Sequence, residues 1–125
     1  LSTFQASVNQ TKILIKDFFC QQFKDKKILV GLGAAAKGNT LINFLSLDST
    51  DIKYVVDSAQ SKQGKFLPGS HIPIVPFERE YLEQADKLIV LPWNLAKEFK
   101  SQVTEYKLSK EIPLIVLLPT ITTVN

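Results

Sequence analysis

One segment constrains this chain more than any other: Lys27-Ile-Leu-Val-Gly31-Leu-Gly33-Ala-Ala-Ala36-Lys37-Gly38-Asn39-Thr40. An apolar run enters a glycine turn, and the turn opens into a helix. Gly31, Gly33 and Ala36 fit the spacing G-x-G-x-x-A of a dinucleotide-type turn. Such a turn aims backbone N–H groups and the positive end of a helix dipole at one point, where phosphate is held. Lys37 adds a full positive charge in the first helical turn.

The remaining pattern repeats this alternation. Phe4, Val8, Ile15, Phe18, Phe19 and Phe23 give residues 1–23 the spacing of an amphipathic helix, broken at Asp25 and Lys26. Residues 28–32 read as a buried strand, uniformly apolar with no wet face. Residues 40–47 continue the helix begun at the turn, and residues 52–56 form a second strand that ends at Asp57. A polar loop covers 58–70. Residues 72–75 form a third strand, placed at an edge by Pro73. A short helix (78–84), a fourth strand (87–91), a helix with Leu95, Phe99, Val103 and Tyr106 inward, and a fifth strand (112–118) complete the pattern. Asn94 is positioned to cap that second long helix, and residues 119–125 read as a tail. Strands alternating with helices imply right-handed crossovers. The prediction is a single α/β domain over residues 1–125. It is a Rossmann-like, doubly wound parallel sheet of about five strands in the order 3-2-1-4-5, preceded by an amphipathic helix. In that order the Gly33 turn and the Pro92-Trp93-Asn94 turn face each other across a crevice at the strand carboxyl ends.

Charge limits the partners. A net charge of +3 is too small an excess to argue for nucleic acid, and no strand carries the paired aromatics of an RNA platform. No apolar stretch is long enough to span a membrane. Without a signal-peptide run, and with Cys20 as the lone cysteine, the expected compartment is the cytoplasm. The chain contains no methionine, which suggests a segment of a longer protein.

Several residues could carry binding. Lys37 and the N–H groups around Ala34, Ala35 and Ala36 suit phosphate, with Gly38 and Asn39 in the same turn. The competing readings are an exposed helix lysine, of equal weight for Lys37 alone, and a glycine turn that only lets helix and sheet pack closely. Asp57 has two readings of equal weight: an acceptor for ribose hydroxyls or the start of an Asx-type turn. Lys62 lies in a loop that could close over a ligand, or could simply be polar surface. His71, the only histidine, lacks a partner motif for catalysis or metal. Trp93 could stack on a base or sugar, or plug the core edge. No zinc-type cysteine pair, Ser–His–Asp arrangement or paired carboxylates are legible, so no catalytic residue is assigned.

Four blocks together resemble the C-terminal domain of sugar C-methyltransferases. They are the Gly31–Thr40 turn, Tyr54-Val-Val-Asp57, Lys62-Gln63-Gly64 with Pro68-Gly69-Ser70-His71-Ile72-Pro73-Ile74, and Leu91-Pro92-Trp93-Asn94-Leu95-Ala96. The resemblance implies a C-terminal segment of a longer, S-adenosylmethionine-dependent enzyme that methylates a nucleotide-linked keto-sugar, such as a dTDP-sugar. It implies zinc and the methyl donor in upstream domains of the same chain and no cofactor here, so the segment alone binds without methylating. Lys37 and the turn would grip the diphosphate, with Trp93, Asn94 and His71 toward the sugar or base. Asp57 is followed by Ser58-Ala59-Gln60, a departure from the family-typical run. Two other readings compete. One is a regulatory module for NAD or CoA. The other is an interface built on the phenylalanines of the first helix, against which stands the simpler reading that they cover the domain's own sheet. A methyl-donor site in the turn is disfavoured because Ala35 stands where a further glycine is usual.

Overall fold

The computed structural model describes residues 2–125, with side chains from residue 7 onward; Leu1 and the side chain of Phe4 lie outside the described residues. The leading helix α1 (Ser2–Lys24) turns Ile15, Phe19 and Gln22 inward. It stops where Lys26 takes a left-handed φ of 56°, which lets the Lys27 N–H reach back to the Gln22 carbonyl at 3.0 Å. Gln22 is buried but not stranded, because its Oε1 accepts a hydrogen bond from Lys87 Nζ at 2.8 Å.

After α1 come β1 (Leu29–Leu32), α2 (Ala36–Phe44), β2 (Val55–Asp57), β3 (Ile74–Pro76), α3 (Arg79–Leu82), β4 (Lys87–Val90), α4 (Ala96–Glu105), β5 (Leu114–Val116) and β6 (Thr122–Thr123). The sheet runs β3-β2-β1-β4-β5-β6, with β6 antiparallel to β5 and the other pairs parallel. The predicted order 3-2-1-4-5 is therefore present, with a sixth strand added. Alternate residues of each strand feed two cores. Leu29, Val55, Ile89 and Ile115 face α1 and α2, together with Ile15, Phe19 and Ile42. Val30, Leu32, Val56, Leu88 and Leu114 face the other way, with Leu82 and Val103. A strand covered on both faces has no position for a polar side chain, which is why these segments read as unbroken apolar runs.

Three local expectations are corrected. Residues 119–125 do not form a free tail: Thr122 and Thr123 pair with Val116 and Ile115, and the Val124 N–H donates to the Leu114 carbonyl at 2.7 Å. Asn94 does not cap α4, because residues Trp93–Leu95 first close a 3₁₀ turn and α4 begins without a side-chain cap. Phe23 does not pack inward; it is 65% exposed, one turn beyond the last inward position on that side of α1. Among the described residues of the stripe, Phe19 is buried and Phe18 packs against the same core, so both cover the domain's own sheet. No helix among the described residues is long and apolar enough to cross a membrane.

Tyr54, just before β2, donates its phenol O–H to the Tyr81 carbonyl at 2.6 Å and meets the Tyr81 ring edge-on. Burial pushes its pKa up to about 12, with the nearby Tyr81 and Glu80 adding to the effect. The fold thus favours the neutral phenol, whose unfolded pKa is about 10. Its contribution is complete below pH 10 and lost as the pH rises through about 12. Tyr54→Phe, which strips the Tyr81 carbonyl of its donor, should cost about 1 kcal/mol at neutral pH. In chemical denaturation it should also show a shallower loss of stability between pH 10 and 12 than the wild type.

Candidate functional site

Gly33 has a φ of 83°, open to glycine at little cost. It turns the chain from the end of β1 into α2. Ala35 occupies the N-cap position of α2 and has no side-chain oxygen, so the helix starts without a side-chain cap. Its first-turn N–H groups keep their donor capacity for water or a ligand.

Beside this helix end lies a cleft of about 420 Å³ at the carboxyl end of β1 and β2. One wall is residues 34–36 with Asn39; the other is the loop after β2, through Ser61, Lys62, Lys65, Phe66 and Pro68. The loop is shaped by its own hydrogen bonds. The Gly64 N–H donates to the Ile74 carbonyl, and the Ile74 N–H to the Lys65 carbonyl. The Leu67 N–H donates to the Ile72 carbonyl, folding 64–74 into a hairpin beside β3. Its tip is held to α2 by Asn43, whose Nδ2 donates to the Pro68 carbonyl at 3.1 Å. The result is an apolar floor with two ammonium groups and a 59% exposed Phe66 ring around it.

Asp57, at the end of β2, does not line the cleft and is already engaged. Its Oδ2 accepts the Ala34 N–H at 2.7 Å and its Oδ1 accepts the Ala59 N–H at 2.8 Å. The second bond closes an Asx turn, one of the two readings the sequence left open. Lys62 Nζ donates to the Ala34 carbonyl at 2.8 Å, and Gln63 Nε2 donates to the Asp57 carbonyl at 2.8 Å.

The structure brings Ala34, Ala35, Asn39 and Lys62 together at the cleft, with Asp57 directly behind them. It does not bring the other candidates there. Lys37 is exposed on the first turn of α2 but does not line the cleft. His71 is exposed in the hairpin tip, where its φ is 60°. Trp93 is half-buried and Asn94 exposed beyond β4, and neither lines the cleft. The Gly33 and Pro92 turns do face each other as the strand order requires, but protein atoms fill the space between them. A Cβ on Gly33 would lie 2.9 Å from Pro92 Cγ and from Phe99 Cζ. Gly31 and Gly38 are likewise packing positions. A Cβ on Gly31 would sit 2.9 Å from Val55 Cγ2, and one on Gly38 only 2.6 Å from Leu91 Cβ.

Lys65 and Phe66 were missed from sequence. Their only signal was an aromatic beside a lysine in an otherwise polar loop, and the hairpin that returns them to the turn is set by backbone pairing. Other clefts flank α1. One of about 330 Å³ is lined mainly by apolar side chains, including Leu14, Ile15, Leu117 and Ile121, and carries no charged group.

Over residues 1–119 the chain matches the family described as C-methyltransferase C-terminal domain. It is also 37% identical over 82 residues to the C-methyltransferase NovU of Streptomyces niveus. That alignment covers 66% of this chain and 20% of the relative, so the match spans about a fifth of the relative's length.

The glycine placements make a prediction independent of any ligand. In a helix interior, Gly→Ala normally gains up to about 1 kcal/mol. Gly38→Ala should do the opposite and lose about 1–3 kcal/mol, because the new methyl overlaps Leu91 in a packed interior. Gly33→Ala should lose at least as much, adding a disfavoured positive φ to the overlap. Denaturant unfolding of the two variants without ligand measures both.

Proposed function

This chain belongs to the C-methyltransferase C-terminal domain family, and on that premise we propose that it binds and orients a nucleotide-linked keto-sugar for a cytoplasmic, S-adenosylmethionine-dependent C-methyltransferase. The observation that carries the reading is the cleft beside the uncapped start of α2, where Lys62 and Lys65 meet an apolar floor. Backbone N–H groups and ammonium ions favour an anion such as a diphosphate. The apolar floor and the Phe66 ring favour a flat or weakly polar group next to it. Few polar groups converging on an apolar concavity is the usual composition of a small-molecule site.

In this reading the chain holds the substrate and other domains of the full-length enzyme carry out the transfer. The methyl donor supplies the carbon; the acceptor is the sugar carbon made acidic by the neighbouring carbonyl. Zinc belongs to an upstream domain, as the family resemblance implies. The residues described here contribute position. Lys62 is already held toward the turn by the Ala34 carbonyl, so less side-chain freedom is lost when an anion arrives. A nicotinamide or CoA module is the weaker alternative. The acid expected on a ribose already accepts two backbone N–H groups, and the Gly33 space is occupied by Pro92 and Phe99.

Calorimetric titration of the full-length protein with a dTDP-sugar tests the proposal. The double variant Lys62→Ala/Lys65→Ala should bind about tenfold or more weakly, with a flatter salt dependence. Lys37→Ala should leave affinity within about twofold, since a screened surface charge is worth little. Equal affinity in the double variant and the wild type would sink the cleft as the site.

A further inference from the structure

We infer that Asp57 is a positioning residue, which together with Lys62 clamps Ala34 by both of its backbone polar groups and so fixes the two walls of the cleft against each other. Ala34 is only 8% exposed, so its N–H and carbonyl both need protein partners. Each has one, from the end of β2 or from the loop that follows it. Asp57 Oδ2 takes the N–H at 2.7 Å, and Lys62 Nζ supplies the carbonyl at 2.8 Å. The wall that provides these partners is itself tied together. Asp57 Oδ1 holds the Ala59 N–H, Gln63 Nε2 holds the Asp57 carbonyl, and the Lys62 N–H donates to the Ala59 carbonyl at 3.0 Å. The carboxylate thus stands where a bound anion would otherwise meet the turn. The donors left for a ligand lie one step further out, on the first turn of α2 and on the lysines. A ribose hydroxyl is not what Asp57 reads.

The test has a ligand-free arm and a ligand arm; only the second rests on the proposed function. In the full-length protein, Asp57→Asn keeps the side chain's size but turns an NH₂ group toward one of the two backbone N–H groups. Hydrogen exchange at the Ala34 and Ala59 amides should quicken together by about tenfold or more. Amides of β4 and β5 should keep their wild-type rates, which separates a local clamp from general destabilisation. Lys62→Met should loosen the same walls, and Lys62→Arg should restore them. This pair decides the matter if Asp57→Asn does not fold. In the ligand arm, Asp57→Asn should weaken dTDP and its 3′-deoxy counterpart by the same factor, about tenfold. Unchanged exchange at Ala34 in Asp57→Asn, or in Lys62→Met, overturns the clamp. A loss seen with dTDP and absent with the 3′-deoxy ligand overturns it too, by identifying a direct ribose contact. Failure of the wild type to bind either nucleotide counts against the proposed ligand, while the exchange arm still decides the clamp.

Discussion

The fit of Gly38 against Leu91 is the contact on which the rest of the architecture depends. A helix laid on a sheet normally stands off by the length of its side chains. Here the first turn of α2 lies so close to the end of β4 that a single added methyl would come within 2.6 Å of Leu91 Cβ. Gly31, one residue before the end of β1, allows the same closeness between Val55 and Leu91. Together they seat α2 low across the carboxyl end of β1, and that placement brings its uncapped end beside the loop that follows β2. Remove the close approach and the cleft loses a wall.

The G-x-G-x-x-A spacing therefore has two meanings that the sequence alone does not separate. In a dinucleotide site the second glycine is small so that a pyrophosphate can approach the backbone. In this chain the same smallness admits Pro92 and Phe99, and the next backbone N–H is met by the chain's own Asp57. The turn keeps its geometry, while the space a pyrophosphate would need at Gly33 is taken by the chain's own side chains. What borders open space is the β2 side of the turn, where Lys62, Lys65 and Phe66 come from a hairpin rather than from a helix.

Much of the fold was legible in the order of apolar runs. Val30 and Ile89 lie in strands buried on both faces, so their segments could not alternate with polar residues. Alternation of such strands with helices leaves few topologies. Pro73 marked an edge, since β3 is the last strand of the sheet order and only the 64–65 segment of the hairpin bonds beyond it. The two-residue β6 was not legible, because Thr122 and Thr123 are exposed and show no burial pattern. The site was legible only in part. Ala34, Ala35 and Asn39 follow from the turn itself, and Lys62 from its proximity to Asp57. Lys65 and Phe66 depend on the Gly64 turn and on the bridge between Phe66 and Pro73 that closes the hairpin. His71 and Trp93 were attractive as rare residue types, yet rarity carries no information about direction. The hairpin tip and the 3₁₀ turn leave both outside the cleft lining.

A carboxylate close to the proposed anion site looks self-defeating, and its geometry explains why it is not. Asp57 directs its two oxygens at the backbone N–H groups of Ala34 and Ala59, while Lys62 lies on the cleft lining. The two side chains hold different backbone groups of the same residue, one the N–H and the other the carbonyl of Ala34. Opposite charges on either side of Ala34 leave the field over the cleft to the lysines and to the start of α2. In the proposed role, position is what this arrangement would supply to a ligand: a cationic group placed before arrival, on a wall fixed by bonds the ligand does not have to make.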